Sequence, residues 1–139
     1  MMAACHRPST AERSEYFNIS TDGWAYGDTL AWTPADSAAC DTASLIVALR
    51  HANDYPYANI WLECSHYAPG DSAPTVDTIN IWLADEYGRW LGTGIGVGHQ
   101  LADTALRHTP IDLSRPIEVR HVMRADCLTG IEQVGLIIK

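Results

Sequence analysis

The stretch L-I-V-A-L-R-H-A-N-D-Y-P-Y-A-N-I-W-L-E-C-S-H-Y, residues 45–67, decides the fold because it holds two apolar, β-rich runs around a short polar connection. Three apolar residues of each run alternate with other side chains: Leu45, Val47 and Leu49, then Ile60, Leu62 and Cys64. Alternation at a period of two places one face of each strand in a core. The turn-forming residues between the runs predict that the two strands form a β-hairpin.

The connection between these strands is predicted to be stiff. Residues 53–54, Asn-Asp, are typical of a turn. Pro56 fixes its own φ angle and restricts Tyr55 to an extended conformation. A stiff hairpin connection would display Tyr55 and Tyr57 on either side of the proline.

The rest of the chain reads as short strands separated by turns. Strands are predicted over 15–20, 24–32, 76–84, 117–124 and 131–138, a second hairpin around the turn at 85–88, loops at 34–42, 68–74 and 109–116, and a short helical segment at 101–106. Closely spaced strands without long helical patterns are typical of an all-β protein. We expect a single-domain antiparallel β-sandwich with jelly-roll or Greek-key connections.

The composition narrows the classes of partner. The chain has 139 residues, 17 acidic against 9 basic residues and a formal net charge of −8. Nucleic-acid binding depends on basic residues that neutralise phosphates, and this chain has no basic cluster, so no nucleic-acid partner is expected. No apolar run approaches the length that spans a membrane.

The first residues indicate a lipid anchor. Met2-Ala3-Ala4-Cys5 is similar to the end of a bacterial lipoprotein signal, in which small residues precede an acylated cysteine. The charged and apolar regions of such a signal are absent, which indicates a gene product that begins upstream. The alternative is an ordinary start with an accidental cysteine. We expect Cys5 to be lipidated, residues 1–14 to form a flexible tether, and residues 15–139 to form the domain.

The remaining cysteines are Cys40, Cys64 and Cys127. Cys64 shares a strand face with apolar residues and is interpreted as a small buried hydrophobe. Cys40 and Cys127 fall in predicted loops, where a disulfide between them and two free thiols are both open. No C-x-x-C pair occurs, which argues against a zinc ribbon or a thioredoxin-type site.

No residue pattern indicates catalysis or metal binding. The histidines lack metal-site spacing, and no nucleophile elbow is present. We therefore expect no enzyme activity, no metal and no cofactor. His51 is predicted to bond a backbone carbonyl at a strand end. His121 falls on the core face of its strand and is predicted to be a satisfied buried histidine.

The glycines and arginines of the motif regions are predicted to have structural roles. Residues 92–98, G-T-G-I-G-V-G, lack the context of a phosphate loop, and alternating glycine favours close backbone approach instead. Gly130 is predicted to take a φ that other residues resist, in a turn capped by Asp126. Arg50 and Arg124 are expected at strand ends, with three candidate ion-pair partners: Glu63, Asp85 and Asp126.

Tryptophans on neighbouring strands leave two interpretations open. Trp61, Trp82 and Trp90 belong to strands that are predicted to lie near one another. Aligned aromatic rings on a sandwich stack on sugars, which makes a carbohydrate-binding module the alternative function. Cross-strand packing is the commoner use of such rings and is preferred here.

Three motifs, in order, carry a resemblance to a known family. They are R-H-x-x-x-Y-P-Y-x-N-I-W-L at 50–62, G-R-W-L-G-T-G-I-G at 88–96, and M-R-x-D-x-L-T-G-I-x-x-V-G-L at 123–136. Together they resemble the gliding-motility lipoprotein family GldH. The resemblance implies a non-enzymatic outer-membrane lipoprotein that faces the periplasm and belongs to a gliding assembly linked to surface protein secretion.

A protein partner is therefore expected, from that membrane-associated motility and secretion assembly, with a lipid anchor holding the chain at the membrane. The candidate contact residues lie in and beside the stiff connection: Arg50, His51, Tyr55, Pro56 and Tyr57. Loops on a rigid scaffold are the usual place for recognition, and tyrosine is enriched at binding hot spots.

Overall fold

The computed structural model of the chain describes residues 13–35, 42–95 and 98–139, which form strands and turns without any helix among them. Eleven strands are present in these ranges. They are β1 (Arg13–Asn18), β2 (Trp24–Ala25), β3 (Leu30–Trp32), β4 (Thr42–Ala52), β5 (Asn59–His66), β6 (Thr75–Trp82), β7 (Thr93–Ile95), β8 (Gly98–Pro110), β9 (Ile117–His121), β10 (Cys127–Leu128) and β11 (Ile131–Ile138).

The strands form two main antiparallel sheets and a small third one. The larger sheet has the order β1-β11-β4-β8-β7, and the second has the order β3-β9-β5-β6. Strands β10 and β2 make the two-stranded sheet. One hydrophobic core takes side chains from both main sheets. The all-β sandwich expected from the sequence is confirmed.

Alternating burial along the central strands builds this core. In β4 every second residue from Ala43 to His51 is buried, and in β5 every second residue from Ile60 to His66 is buried. Burying one such aliphatic side chain contributes about 1.5–3 kcal/mol. The faces predicted for both strands are therefore correct.

The hairpin predicted between these two strands is wrong. Strand β4 pairs with β11 and β8 in the five-stranded sheet, whereas β5 pairs with β6 and β9 in the four-stranded sheet. Residues 53–58 therefore cross from one sheet to the other. Alternation reveals which face of a strand is buried, but a crossing connection leaves the same pattern as a hairpin.

Two further local predictions need correction. The weak strand expected over 24–32 divides into β2 and β3, which pair with β10 and β9 in separate sheets. The turn at 85–88 is present, with the Gly88 amide donating to the Asp85 carbonyl at 3.0 Å. The expected strand after it is reduced to one isolated bridge between Ala84 and Trp90.

The helical segment predicted at 101–106 is instead part of the thirteen-residue strand β8. The register between β4 and β8 shifts twice near Leu45, whose partner is Leu106, while Ile46 pairs with Thr104. Such a bulge adds a residue on one strand and changes which side chains face the core. The spacing of Leu101 and Leu106 consequently matches neither simple alternation nor a helix.

The register also fixes the two ends of the sandwich. Arg13 lies opposite Ile138, and Ile138 lies opposite Leu45. The first described residue and the last residue of β11 are therefore at the same end of the sandwich. At the other end β4 finishes and residues 53–58 cross between the sheets. We call the former the terminal end and the latter the connection end.

Candidate functional site

The three motif stretches meet at the connection end of the sandwich. His51 of the first motif packs on Trp90 of the second, with 4.5 Å between ring centroids. Arg50 of the first pairs with Glu132 of the third, with 3.1 Å between Nε and Oε1. The turn at Gly130, also in the third, lies against Tyr55. The motifs are thus distant in sequence and adjacent in space.

Four aromatic side chains form a cluster beneath the connection, which we call the ring cluster: His51, Tyr55, Trp90 and His99. His51 and His99 are direct partners across β4 and β8, and their rings stack with centroids 5.3 Å apart. His51 is fully buried. The ring cluster therefore fills the end of the core where the chain changes sheets.

Tyr55 is buried, with only 4% of its surface exposed. Its hydroxyl donates to the Asn59 carbonyl at 2.8 Å, and its amide donates to the Ala52 carbonyl at 3.2 Å. Burial raises the pKa of this phenol, and the neighbouring Tyr57 raises it further. The expected display of Tyr55 is wrong, because the crossing connection passes over the core instead of projecting into solvent.

Tyr57 and Pro56 form the outer surface of the same connection. Tyr57 is 40% exposed, and Pro56 is exposed as well. The Tyr57 ring meets the edge of the Tyr55 ring, with centroids 5.8 Å apart and planes at 75°. Of the two tyrosines, Tyr57 is the one that a partner can reach, and Tyr55 supports it from below.

Gly130 holds the third motif against the connection. Its φ is +97°, in the left-handed region, as the sequence predicted. A Cβ at this position would lie 2.8 Å from Tyr55 Cα, closer than real side chains approach. The Ala52 amide also donates to the Gly130 carbonyl at 2.8 Å. Sequence reasoning found the conformation but not the contact with Tyr55.

His51 bonds a backbone carbonyl at its strand end, as predicted. Its Nδ1 donates to the Ala52 carbonyl at 3.0 Å. Burial lowers the pKa of His51, the Ala52 carbonyl opposes that shift, and His99 lowers it further. The full burial of His51 removes it from direct partner contact, although it stays in the supporting layer under Tyr57.

His99 is a member of the site that sequence reasoning missed. Its Nε2 bonds the Asn53 side-chain oxygen, which ties β8 to the start of the connection. Within the described ranges, His99 Nδ1 and His51 Nε2 are both buried and without a hydrogen-bond partner. The contacts that join His99 and Trp90 to His51 are not recognisable from the sequence, because they depend on which strands become neighbours.

The expected ion pairs are replaced by others. Arg50 pairs with Glu132 across β4 and β11, both side chains being partly exposed. Glu63 pairs with Arg120 at 2.9 Å. Asp85 pairs with Arg89 at 2.9 Å and accepts the amides of Tyr87 and Arg89, which lowers the pKa of its carboxyl. The described part of the chain contains no ion pair of Arg124.

His121 is the satisfied buried histidine that was predicted. Its Nε2 donates to the Trp24 carbonyl at 2.9 Å, and its Nδ1 accepts the Met123 amide at 3.2 Å. Burial lowers its pKa. Both ring nitrogens have internal partners, so His121 is a structural residue.

Two of the alternating glycines, Gly92 and Gly98, serve close packing, as expected. A Cβ at Gly92 would lie 2.4 Å from the Gln100 carbonyl oxygen. One at Gly98 would lie 3.1 Å from the Glu132 carboxylate and 3.3 Å from Arg50 Nε. Gly98 thus makes room for the Arg50–Glu132 ion pair.

The cysteines show no disulfide among the described residues. Cys64 is buried, and burial raises the pKa of its thiol to about 12, so it acts as a small hydrophobe. Cys127 is a free, exposed thiol whose Sγ donates to the Asp22 carbonyl at 3.0 Å. Cys40 and Cys5 lie outside the described residues.

The three tryptophans divide into two groups. Trp90 belongs to the ring cluster and packs as expected. Trp61 and Trp82 are 43% and 57% exposed on the outer face of the four-stranded sheet. These two rings are diagonal neighbours across β5 and β6, and their exposure is what the carbohydrate-binding alternative requires.

The described residues contain no group of three or more histidine, cysteine or acidic side chains arranged to hold a metal ion. They also contain no helix long and apolar enough to cross a bilayer.

Comparison with known proteins finds matches among solved structures and a match to one family. The crystal structure of the infectious bursal disease virus VP2 subviral particle matches at 12% identity and a TM-score of 0.32, covering 94% of this chain and 33% of that chain. This chain thus spans a third of the viral one, and so low a score supports no conclusion. No curated protein matches. The family described as GldH lipoprotein matches residues 12–138, so the chain belongs to the GldH lipoprotein family.

Proposed function

We propose that this chain is a lipid-anchored, non-enzymatic subunit of a bacterial gliding-motility assembly that is linked to protein secretion to the cell surface. The family match over residues 12–138 is the observation that carries the proposal. That family is not a known enzyme family. In this proposal the chain sits on the periplasmic side of the outer membrane, and Cys5 bears the lipid.

We further propose that the chain works by holding a protein partner through the outer surface of the connection, where Pro56 and Tyr57 are exposed. The ring cluster fixes this surface from below, so little conformational entropy is lost on binding. Tyrosine is among the residues that dominate interface energies. Arg50, paired with Glu132, lies at the same end and supplies a polar rim.

Lipidation of Cys5 is tested with the complete gene product in its host. The protein should incorporate a fatty-acid analogue and fractionate with membranes, and Cys5→Ala should abolish the label and release the protein. A single acyl chain gives only marginal retention, so firm membrane association requires additional acylation. Wild-type protein that stays soluble and unlabelled would refute the lipid anchor.

Partner binding is tested by capture from solubilised membranes. Tyr57→Ala should reduce capture of a specific protein by about tenfold or more, as for a hot-spot tyrosine, with an almost unchanged melting temperature. Tyr87→Ala is the matched control, because Tyr87 is 75% exposed on a different turn.

Equal capture by the wild type and Tyr57→Ala would refute the proposed contact surface. Equal losses in Tyr57→Ala and Tyr87→Ala would do the same, since they would show a general effect of removing exposed rings. Reintroducing an aromatic ring with Tyr57→Phe should restore most of the capture.

A further inference from the structure

The outer face of the four-stranded sheet displays two tryptophans on adjacent strands. Trp61 of β5 lies opposite Asn80 of β6, and Trp82 of β6 lies opposite Asn59 of β5. The two indoles are therefore diagonal neighbours, about 7–8 Å apart at the backbone. At 43% and 57% exposure, both rings leave a large apolar surface in solvent.

An amide pair occupies the other diagonal of this square. Asn59 Nδ2 donates to Asn80 Oδ1 at 2.7 Å, between the two indoles. A primary amide has two donors and an acceptor oxygen, so this bond leaves the Asn59 oxygen and an Asn80 N–H available. Polar groups with spare hydrogen-bonding capacity thus stand between two exposed aromatic rings. We call these four residues the Trp–Asn face: Asn59, Trp61, Asn80 and Trp82.

The charges around this face favour an uncharged ligand. The next residue outward on β5 is Glu63, which is paired with Arg120 at 2.9 Å and lies opposite Thr78. The Trp–Asn face itself has no ionisable side chain, and the whole chain has a net charge of −8. An acidic polymer would be repelled by the whole molecule, and a basic one would find no unpaired carboxylate on the face.

We propose that the Trp–Asn face binds a neutral, linear glycan. The apolar C–H face of a pyranose ring stacks on an aromatic face, and the ring's hydroxyls need hydrogen-bond partners beside it. The two indoles supply the stacking surfaces, and the two amides between them supply the hydrogen-bond partners. A chain of linked sugars can lie across the two indoles, because both are exposed to solvent.

The backbone beneath this face is held in place before any ligand binds. β5 and β6 pair without a break over eight residue pairs, from Asn59 and Trp82 to His66 and Thr75. The inner sides of the same strands enter the core through Ile60, Leu62 and Ile81. Binding therefore requires little ordering of the backbone. The face begins at Asn59, two residues after Tyr57, and the two proposals are told apart because they depend on different rings, Tyr57 in one case and Trp61 with Trp82 in the other.

The test uses purified chain and two neutral hexasaccharides, chitohexaose and cellohexaose. Titration should shift or quench the tryptophan fluorescence, and calorimetry should give a saturable binding constant for at least one of them. Trp61→Ala and Trp82→Ala should each weaken binding about tenfold, the order expected from losing one aromatic contact. Asn80→Ala should weaken binding while both rings remain.

Controls separate this face from other aromatic surfaces and from unfolding. Tyr16→Ala removes an exposed ring from the five-stranded sheet and should leave glycan binding unchanged. Trp61→Tyr keeps a stacking surface and should retain most of the affinity. Melting temperatures should stay near wild type for the tryptophan variants, since both rings are exposed.

Three results would overturn the proposal. One is no binding of either hexasaccharide by the wild type at millimolar concentration. A second is wild-type affinity in both Trp61→Ala and Trp82→Ala, which would move the glycan elsewhere. The third is that Trp61→Ala and Trp82→Ala bind the glycan as the wild type does but no longer capture a membrane protein. That result would assign the face to a protein partner.

Discussion

At the scale of single residues, Tyr55 joins the parts of the connection end. Its hydroxyl binds the start of β5, its ring contacts His51 and Tyr57, and its backbone lies against Gly130. A buried tyrosine that satisfies its hydroxyl adds packing and a directional bond together. These contacts of Tyr55 therefore fix the position of the exposed Tyr57.

Gly130→Ala should lower the free energy of unfolding by more than the strain of a positive φ alone would. The positive φ costs an alanine about 1–2 kcal/mol. The collision of the new Cβ with Tyr55 adds an overpacking cost of about 1–3 kcal/mol. The measurement is the free energy of unfolding from denaturant titration.

Gly70→Ala is the matched control for that substitution. Gly70 also has a positive φ, +84°, but a Cβ there would meet nothing within 4 Å. The two variants therefore share the conformational strain and differ in the collision. Equal destabilisation by both would show that Tyr55 moves aside without cost.

The buried histidines should make stability fall in mild acid. Burial lowers the pKa of His51, His66 and His121 below 6.5, so each binds a proton more readily in the unfolded chain. The free energy of unfolding therefore decreases as the pH falls through 6.5 towards the folded-state pKa values. We expect a lower melting temperature at about pH 5.5 than at about pH 7.5.

Substitutions of single histidines show whether a buried histidine causes this pH dependence of stability. His51→Gln keeps a donor for the Ala52 carbonyl, cannot be protonated, and should flatten the slope. His108→Asn is the control, because His108 is exposed and asparagine tolerates its positive φ of 45°. A melting temperature that does not change over this range would contradict the assignment.

At the scale of strands, β5 connects the core to the outer face. Its inward residues Ile60, Leu62 and Cys64 are buried, and its outward residue Trp61 is exposed. A shift of the register by one residue would exchange these two sets, so the burial of one set specifies the display of the other. The outer aromatic face is consequently a product of core packing.

Leu62→Ala should cost about 2–5 kcal/mol through lost burial and the cavity left behind. Leu62 is fully buried in β5, which pairs with β6 on one side and with β9 on the other. Leu91→Ala makes the same chemical change at an exposed position and should have little effect. Similar unfolding free energies for the two variants would contradict the register described for β5.

The sequence predicted strand faces well and strand partners poorly. Leu45, Val47, Leu49, Ile60, Leu62 and Cys64 were all expected on core faces and are buried. The crossing at 53–58 and the bulge in β8 were not foreseen, because both depend on contacts between distant segments. The same limit applies to the candidate site: both tyrosines were expected to be displayed, but only Tyr57 is exposed, and His99 was not named.

At the scale of the whole molecule, pairing between distant parts of the chain dominates. The first strand, β1, pairs with the last, β11, and β11 also pairs with β4. The five-stranded sheet thus cannot be completed until both ends of the described chain are in place. Loop-closure entropy must be overcome before such contacts stabilise the fold.

Refolding should therefore be slow for a chain of this size. Sandwiches with mostly distant contacts fold in about milliseconds to seconds. Stopped-flow fluorescence should report this phase, since Trp24 is fully buried in the native state. Slower phases of about 10–100 s would come from proline isomerisation and are distinguished by double-jump experiments. Refolding within microseconds would contradict a topology dominated by distant pairing.

Under the proposed lipid anchor, the pairing of Arg13 with Ile138 would also give the molecule a direction relative to a bilayer. With a lipid on Cys5, the eight residues that follow it up to Arg13 would reach at most about 30 Å, and they would keep the terminal end on the membrane side. The eleven residues of β4 then carry the chain about 35 Å to the opposite end. Tyr57 would point away from the lipid, and a tag added after Lys139 would lie close to it.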